Sequence, residues 1–136
     1  MRSGPSQNVG LRNKFIISES DFAKEQLESL IDRVKDYCVL DEGGGVHIRK
    51  RQLAQWRQVG LVMVARFIGS KLDPKFPPVL SAAELAEFLG VNKAVAIART
   101  KELVDRGFAV RVSKGHYRIN VPRIEDFLNQ LRETTN

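Results

Sequence analysis

A mostly α-helical α+β fold, with one small β-hairpin and a helix flanking it on either side, is what the sequence predicts. Three observations carry this expectation. Apolar residues recur at helical spacing over 18–40, 49–72 and 122–133, the period that buries one face of a helix. The stretch "SAAELAEFLGVNKAVAIARTKELVDRG" at 81–107 holds two short helices punctuated by Gly90, Asn92 and Gly107. After it, "FAVRVSKGHYRINV" alternates around a Ser-Lys-Gly turn, the period-2 signature of a two-stranded hairpin. With 136 residues, 43% of them hydrophobic and 28% charged, the chain suits one domain over 18–136 with a modest core.

Residues 1–17, rich in Gly, Ser and Asn, read as a flexible basic arm carrying Arg2, Arg12 and Lys14. The first helix, over 18–40, takes Ser18 or Ser20 as its cap and aligns Phe22, Leu27, Leu30, Ile31, Val34 and Tyr37, with Glu19 and Asp21 where the helix dipole favours negative charge. "DEGGG" at 41–45 breaks the chain. Without a Gly-Lys-Ser/Thr sequel it reads as a flexible connector rather than a phosphate cradle, and "VHI" at 46–48 follows as a short strand. The longest helical pattern, over 49–72, presents Leu53, Trp56, Gly60, Met63, Val64, Phe67 and Ile68, and is so apolar over 59–68 that it forms the spine of the domain.

The start of that spine poses a conflict. Arg49, Lys50 and Arg51 at a helix N-terminus would oppose the macrodipole; either an anion or the acidic first helix would resolve it. "DPKFPPV" at 73–79 is a stiff loop, and "SAAE" at 81–84 is a capping box that opens the next helix. Gly90 permits the turn and Asn92 caps the following helix, 93–106. At 100° per residue, Ala96, Ile97, Thr100, Leu103 and Val104 share an arc that faces the core. Asn92, Lys93, Ala94, Val95, Ala98, Arg99, Lys101, Glu102, Asp105 and Arg106 lie on the outer arc. In the hairpin, Val110, Val112 and Ile119 suit the inward face. The last helix begins near Pro122 and spaces Ile124, Phe127, Leu128 and Leu131 as one apolar stripe.

Charge narrows the function classes. Lys and Arg number 22 against 16 acids, for a net charge of +6 and a pI near 9.8, and the excess is segregated. Residues 19–42 carry three basic and eight acidic side chains, 43–72 six basic and no acidic ones, and 108–120 three basic and none acidic. Such blocks favour a polyanionic partner. A lone cysteine, Cys38, excludes an internal disulfide and a cysteine-built zinc site within one chain. His47 and His116 have no ligand or catalytic spacing around them, so neither an enzyme nor a cofactor is expected. The run "VGLVMVARFIG" at 59–69 is interrupted by Arg66 and too short to span a bilayer, and "MRSGPSQNVGLRNK" lacks a signal-peptide core. The expectation is a cytoplasmic protein with no membrane association.

The order helix, turn, helix and hairpin, with Ala86, Gly90, Val91, Leu103 and Gly107 at the matching spacing, resembles the winged helix-turn-helix superfamily in its MarR-like and ArsR-like pattern. The resemblance covers about residues 49–131. It implies a dimeric transcriptional regulator that sets helix 92–106 in the major groove of double-stranded DNA, with the hairpin as a basic wing on the backbone. The residues it would use are Asn92, Lys93, Val95, Ala98, Arg99 and Lys101 from the helix, and Arg111, Lys114, His116 and Arg118 from the hairpin. Arg49, Lys50 and Arg51 would add phosphate contacts. The resemblance also implies a homodimer through the terminal helices. The alternative is a protein-interaction module within a larger complex, built on the outward trio Ala94, Val95 and Ala98. An RNA-contacting module is disfavoured by the lack of an aromatic stacking platform.

Overall fold

Between residues 24 and 133, which the computed structural model describes, the chain forms α1 (Lys24–Val34), β1 (Cys38–Leu40), β2 (Val46–Ile48), α2 (Gln55–Leu72), β3 (Leu80–Ser81), α3 (Ala82–Leu89), α4 (Lys93–Asp105), β4 (Ala109–Ser113), β5 (His116–Ile119) and, after a 3-10 turn at Val121–Arg123, α5 (Ile124–Glu133). The class is α+β. β1 and β2 make one antiparallel sheet; β3, β5 and β4, in that spatial order, make the other. The arm 1–17 and the start of the first helix, with Ser18, Ser20 and Phe22, lie outside the described residues.

α2 is the spine. From Val59 to Gly69 every residue is buried, and the helix is enclosed by α1, both sheets, α3, α4 and α5. Its one charge in that stretch, Arg66, is satisfied by four hydrogen bonds to three partners. Nε and Nη2 donate to the Gly44 carbonyl (3.2 and 2.9 Å), Nη1 donates to the Pro77 carbonyl (3.0 Å), and Nη2 pairs with Glu84 Oε2 (3.2 Å). A buried guanidinium is tolerable only when its N–H groups are met in this way.

Two sequence expectations fail at the ends of the first two helices. α1 stops at Val34, and 38–40 pairs with 46–48 as a strand, with Cys38 opposite Ile48 and Leu40 opposite Val46. "DEGGG" is therefore a hairpin turn and not a loose connector. The Asp41 carboxylate accepts from the backbone of Gly43 and Gly45 (both 2.9 Å) and meets His47 Nε2 at 2.7 Å. The His47 hydrogen bond, then that of Gly45, holds the Asp41 carboxyl below its ordinary range. Hairpin pairing competes with helix here because Cys38, Val39 and Leu40 find a partner strand across a turn that glycine makes cheap.

The second correction concerns Arg49, Lys50 and Arg51, which precede α2 instead of opening it. The Arg49 backbone N–H extends the strand by donating to the Tyr37 carbonyl (2.7 Å), and its guanidinium donates to the Lys35 carbonyl (3.3 Å), just past the end of α1. Arg51 donates to the Leu89 carbonyl (2.9 Å) at the end of α3, while Lys50 lies 5.4 Å from the centre of the Tyr37 ring. The conflict with the macrodipole disappears. Two of the three cations sit at the carbonyl ends of other helices, where the dipole attracts them. Gln58 holds the loop over the start of α2 by donating to the Arg51 and Leu53 carbonyls (2.9 and 2.8 Å).

The stripe of α5, Ile124, Phe127, Leu128 and Leu131, is buried within the chain, and Arg33 of α1 ties the two terminal helices together through Glu125 and Asn129. Cys38 is buried against the Leu61 carbonyl, and burial pushes its thiol up to about 12. Because the thiolate is the reactive form, a disulfide reagent at pH 8 should leave the native protein unlabelled for hours and label it at once in guanidinium. Rapid labelling of the native state would mean that β1 opens readily.

Candidate nucleic-acid interface

α3, the turn 90–92, α4 and the β4–β5 hairpin bring most of the expected contact residues together. Ser81 and Glu84 complete a capping box at the start of α3 (3.1 and 3.0 Å). Gly90 turns the chain with φ 74°, a left-handed conformation that favours glycine. Asn92 then caps α4, its Oδ1 accepting from the Val95 backbone at 2.9 Å. With Oδ1 engaged, the Nδ2 amide hydrogens remain as outward donors.

The outer face of α4 differs from the wheel at several positions: Arg99 and Glu102, expected outside, are half-buried. Ile97, expected inside, is 40% exposed, whereas Val95, expected outside, is half-buried. Ala96, Thr100 and Leu103 are the buried residues of α4, and Ile97 lies at the rim. The exposed stripe is Lys93, Ala94, Ile97, Ala98 and Lys101. Arg99 is drawn along the helix to Glu102, and Lys101 to Asp105 at 3.3 Å. Of the three cations expected to contact DNA from α4 (Lys93, Arg99 and Lys101), Lys93 alone has no acidic partner among the described residues.

The hairpin corrects the sequence more strongly. Val110 and Val112, expected inside, are 42% and 50% exposed, while Ile119 is buried as expected. β4 is an edge strand, and the bulge between Arg111 and Ser113 breaks its alternation; past Ala109 every residue of the strand is exposed. Arg111, Lys114 and His116 are exposed; Arg118 is half-buried, and burial draws its pKa below the ordinary value. The tip is not a free arm. β3 pairs Leu80 with Tyr117 and Ser81 with His116, and the Ala82 N–H donates to the Gly115 carbonyl (3.0 Å).

Element lengths place the cations relative to one another. The eight residues of α3, about 12 Å at 1.5 Å per residue, separate the hairpin tip at Ala82 from the turn at Gly90. Lys114 and Lys93 thus stand at opposite ends of α3, about one major-groove width apart. Arg51 adds a third positive charge beside the turn, while its N–H groups hold the Leu89 and Phe88 carbonyls. Arg49 and Lys50 are engaged elsewhere, at the Lys35 carbonyl and over the Tyr37 ring.

The sequence missed a second basic cluster at the far end of α4. The guanidiniums of Arg57 (4.5 Å to the ring centre) and Arg106 (4.1 Å) both lie over the Trp56 ring. Its ring is stacked at 3° on Phe108, 6.4 Å away, and Arg123 covers Phe108 at 4.7 Å. Trp56 followed by Arg57 was the available signal, but the convergence with Arg106 and Arg123 needs the fold. No helix among the described residues is long and apolar enough to cross a membrane. Comparison of the chain with protein-family models, with curated proteins and with solved structures gives no match.

Proposed function

We propose that this protein binds double-stranded DNA as a winged helix-turn-helix transcriptional regulator. In this reading α4 enters the major groove by its Asn92 end and the β4–β5 hairpin serves as a short wing on the backbone. The observation that carries it is the placement of exposed Lys93 and Lys114 at the two ends of α3, with an outward helix face between them whose small side chains, Ala94 and Ala98, permit close approach to base edges. Asn92 is the one side chain of that end with amide donors for a base edge, and Ala94, Ile97 and Ala98 suit thymine methyls. Discrimination between sequences should be modest and backbone attraction dominant. The apolar stripe of α5 is already covered within the chain, so a homodimer, if α1 and α5 form it, must use their outer faces.

Salt dependence tests this directly. Lys93, Arg111 and Lys114 are exposed and lack acidic partners among the described residues, and three phosphate contacts give a log–log slope of about −2.7. Between 50 and 200 mM salt the affinity for random duplex should fall at least roughly 40-fold, as read by fluorescence anisotropy. Lys93→Ala with Lys114→Ala should flatten the slope by about 1.8. A double variant with the parent's slope would remove these two residues from the interface.

A second reading has one observation in its favour. Ile97, 40% exposed and flanked by Ala94 and Ala98, would seat an apolar protein surface, the role first expected of a trio that included Val95. Absence of duplex binding at 50 mM salt would select it, and Ile97→Glu should then abolish partner capture.

A further inference from the structure

We infer that the leading end of α4 selects keto bases, so that the DNA strand beneath it carries a run of guanines and thymines. The inference names the target class within the duplex-DNA reading and rests on it.

Donors and acceptors are unequal on the leading turns of α4. Asn92 Oδ1 is turned back to accept from the Val95 N–H at 2.9 Å, which leaves the Asn92 amide as a donor. Lys93 is exposed, and an ammonium only donates. Ala94, Ile97 and Ala98, exposed on the same stripe, offer neither. The first turn of α4 holds no acidic residue. The two acids of the helix, Glu102 and Asp105, lie in its last turn and are engaged by Arg99 and by Lys101. Its one hydroxyl, on Thr100, is buried and donates to the Ala96 carbonyl at 2.7 Å. The outward side chains from Asn92 to Ala98 therefore present donors and apolar surface alone.

Bases divide on the same property. In the major groove guanine shows the acceptors N7 and O6, and thymine shows O4 and its methyl, whereas adenine N6 and cytosine N4 are donors. An amino group pressed against Lys93 or Ala94 loses water and gains no partner, which lowers affinity by about 5-fold or more. Every base pair holds one keto and one amino base, so the choice made by α4 is which strand carries the keto partner. Guanine is met by the Lys93 ammonium and the Asn92 amide. Ile97 distinguishes the two keto bases. It is 40% exposed and lies one helical turn beyond Lys93 and Ala94, where a thymine methyl buried against it gains about 4-fold in affinity.

Two 16-base-pair duplexes of equal composition separate base reading from backbone attraction. In one, a single strand carries all the guanines and thymines; in the other, keto and amino bases alternate along each strand. The number of phosphates is the same, so the salt slopes should coincide. By labelled-DNA anisotropy the full-length protein should bind the first duplex about 5-fold or more tighter than the second. Uracil in place of thymine in the first should cost about 4-fold for each methyl that meets Ile97, and Ile97→Ala should erase that cost. Asn92→Asp keeps the helix cap but replaces the donor by an acceptor, so it should narrow the ratio between the duplexes. Equal affinities for the two duplexes, with a steep salt slope, overturn the inference and leave the DNA reading intact. No anisotropy change with either duplex overturns both. A uracil duplex bound as tightly as its thymine parent overturns the role of Ile97. Far-ultraviolet circular dichroism of each variant separates loss of contact from loss of fold.

Discussion

Arg66→Ala should destabilise the protein by about 3–5 kcal/mol and lower Tm by roughly 10–20 °C, a large share of a stability that for a domain of this size is of order 5–15 kcal/mol. The reason is the number of groups that one guanidinium satisfies. Arg66 is 4% exposed and links the Gly44 carbonyl of the β1–β2 turn, the Pro77 carbonyl of the proline loop and the Glu84 carboxylate of the α3 capping box. Removing it leaves the carbonyl of buried Gly44 without its donor, and a cavity besides. Gly44 shows how closely the turn is seated, because a side chain there would meet the Phe76 ring at 3.2 Å in a backbone with φ 89°. Glu84→Gln is the informative companion. The Glu84 side chain is 41% exposed and a glutamine still caps Ser81, so the loss should be about 1 kcal/mol. Urea unfolding decides the matter. Comparable small losses for both variants would show that Arg66 is only one of several ties between these loops.

The arginine at position 66 also illustrates what was legible in the sequence. A charge inside an apolar helix was visible, but its partners are 22, 11 and 18 residues away in sequence and no periodicity announces them. Local signals were read correctly where the chemistry is local. The Ser81–Glu84 box, the Gly90 turn, the Asn92 cap and the turn before His116 all depend on neighbours within four residues, and all stand as expected. Errors fell where a distant element decides. Residues 38–40 continue a helical pattern but find a strand at 46–48. Arg49 and Arg51 look like the start of a helix and are instead caps for other helices. Val110 and Val112 alternate correctly but have no layer above them. For the candidate interface the effect was selective: Asn92, Lys93, Ala98, Arg111, Lys114 and His116 are exposed, whereas Arg99 and Lys101 are held by acids one turn away that a count of basic residues does not discount.

Gly60→Ala should destabilise by about 2–3 kcal/mol, against the usual sense of this substitution in a helix, where alanine gains about 1 kcal/mol. A methyl at Gly60 would stand 2.1 Å from Phe127 Cζ and 2.3 Å from Cε1, deep inside contact distance, and the Phe127 side chain is fully buried. Neither group can rotate into solvent, so α2 and α5 must separate, and overpacking of this kind outweighs the propensity gain. The displacement has a route to the candidate interface. Phe127 meets Phe108 edge-on at 5.6 Å, and Phe108 is stacked on Trp56, so movement of α5 should shift Trp56 emission in the free protein. A double-mutant cycle isolates the cause. Phe127→Leu alone should cost about 1–2 kcal/mol by leaving space, and combined with Gly60→Ala that space accepts the methyl. The pair should therefore be more stable than the sum of the single losses by at least about 1 kcal/mol. Strict additivity would mean that the Gly60 notch does not seat Phe127, and that α5 is held on the spine by its aliphatic residues instead.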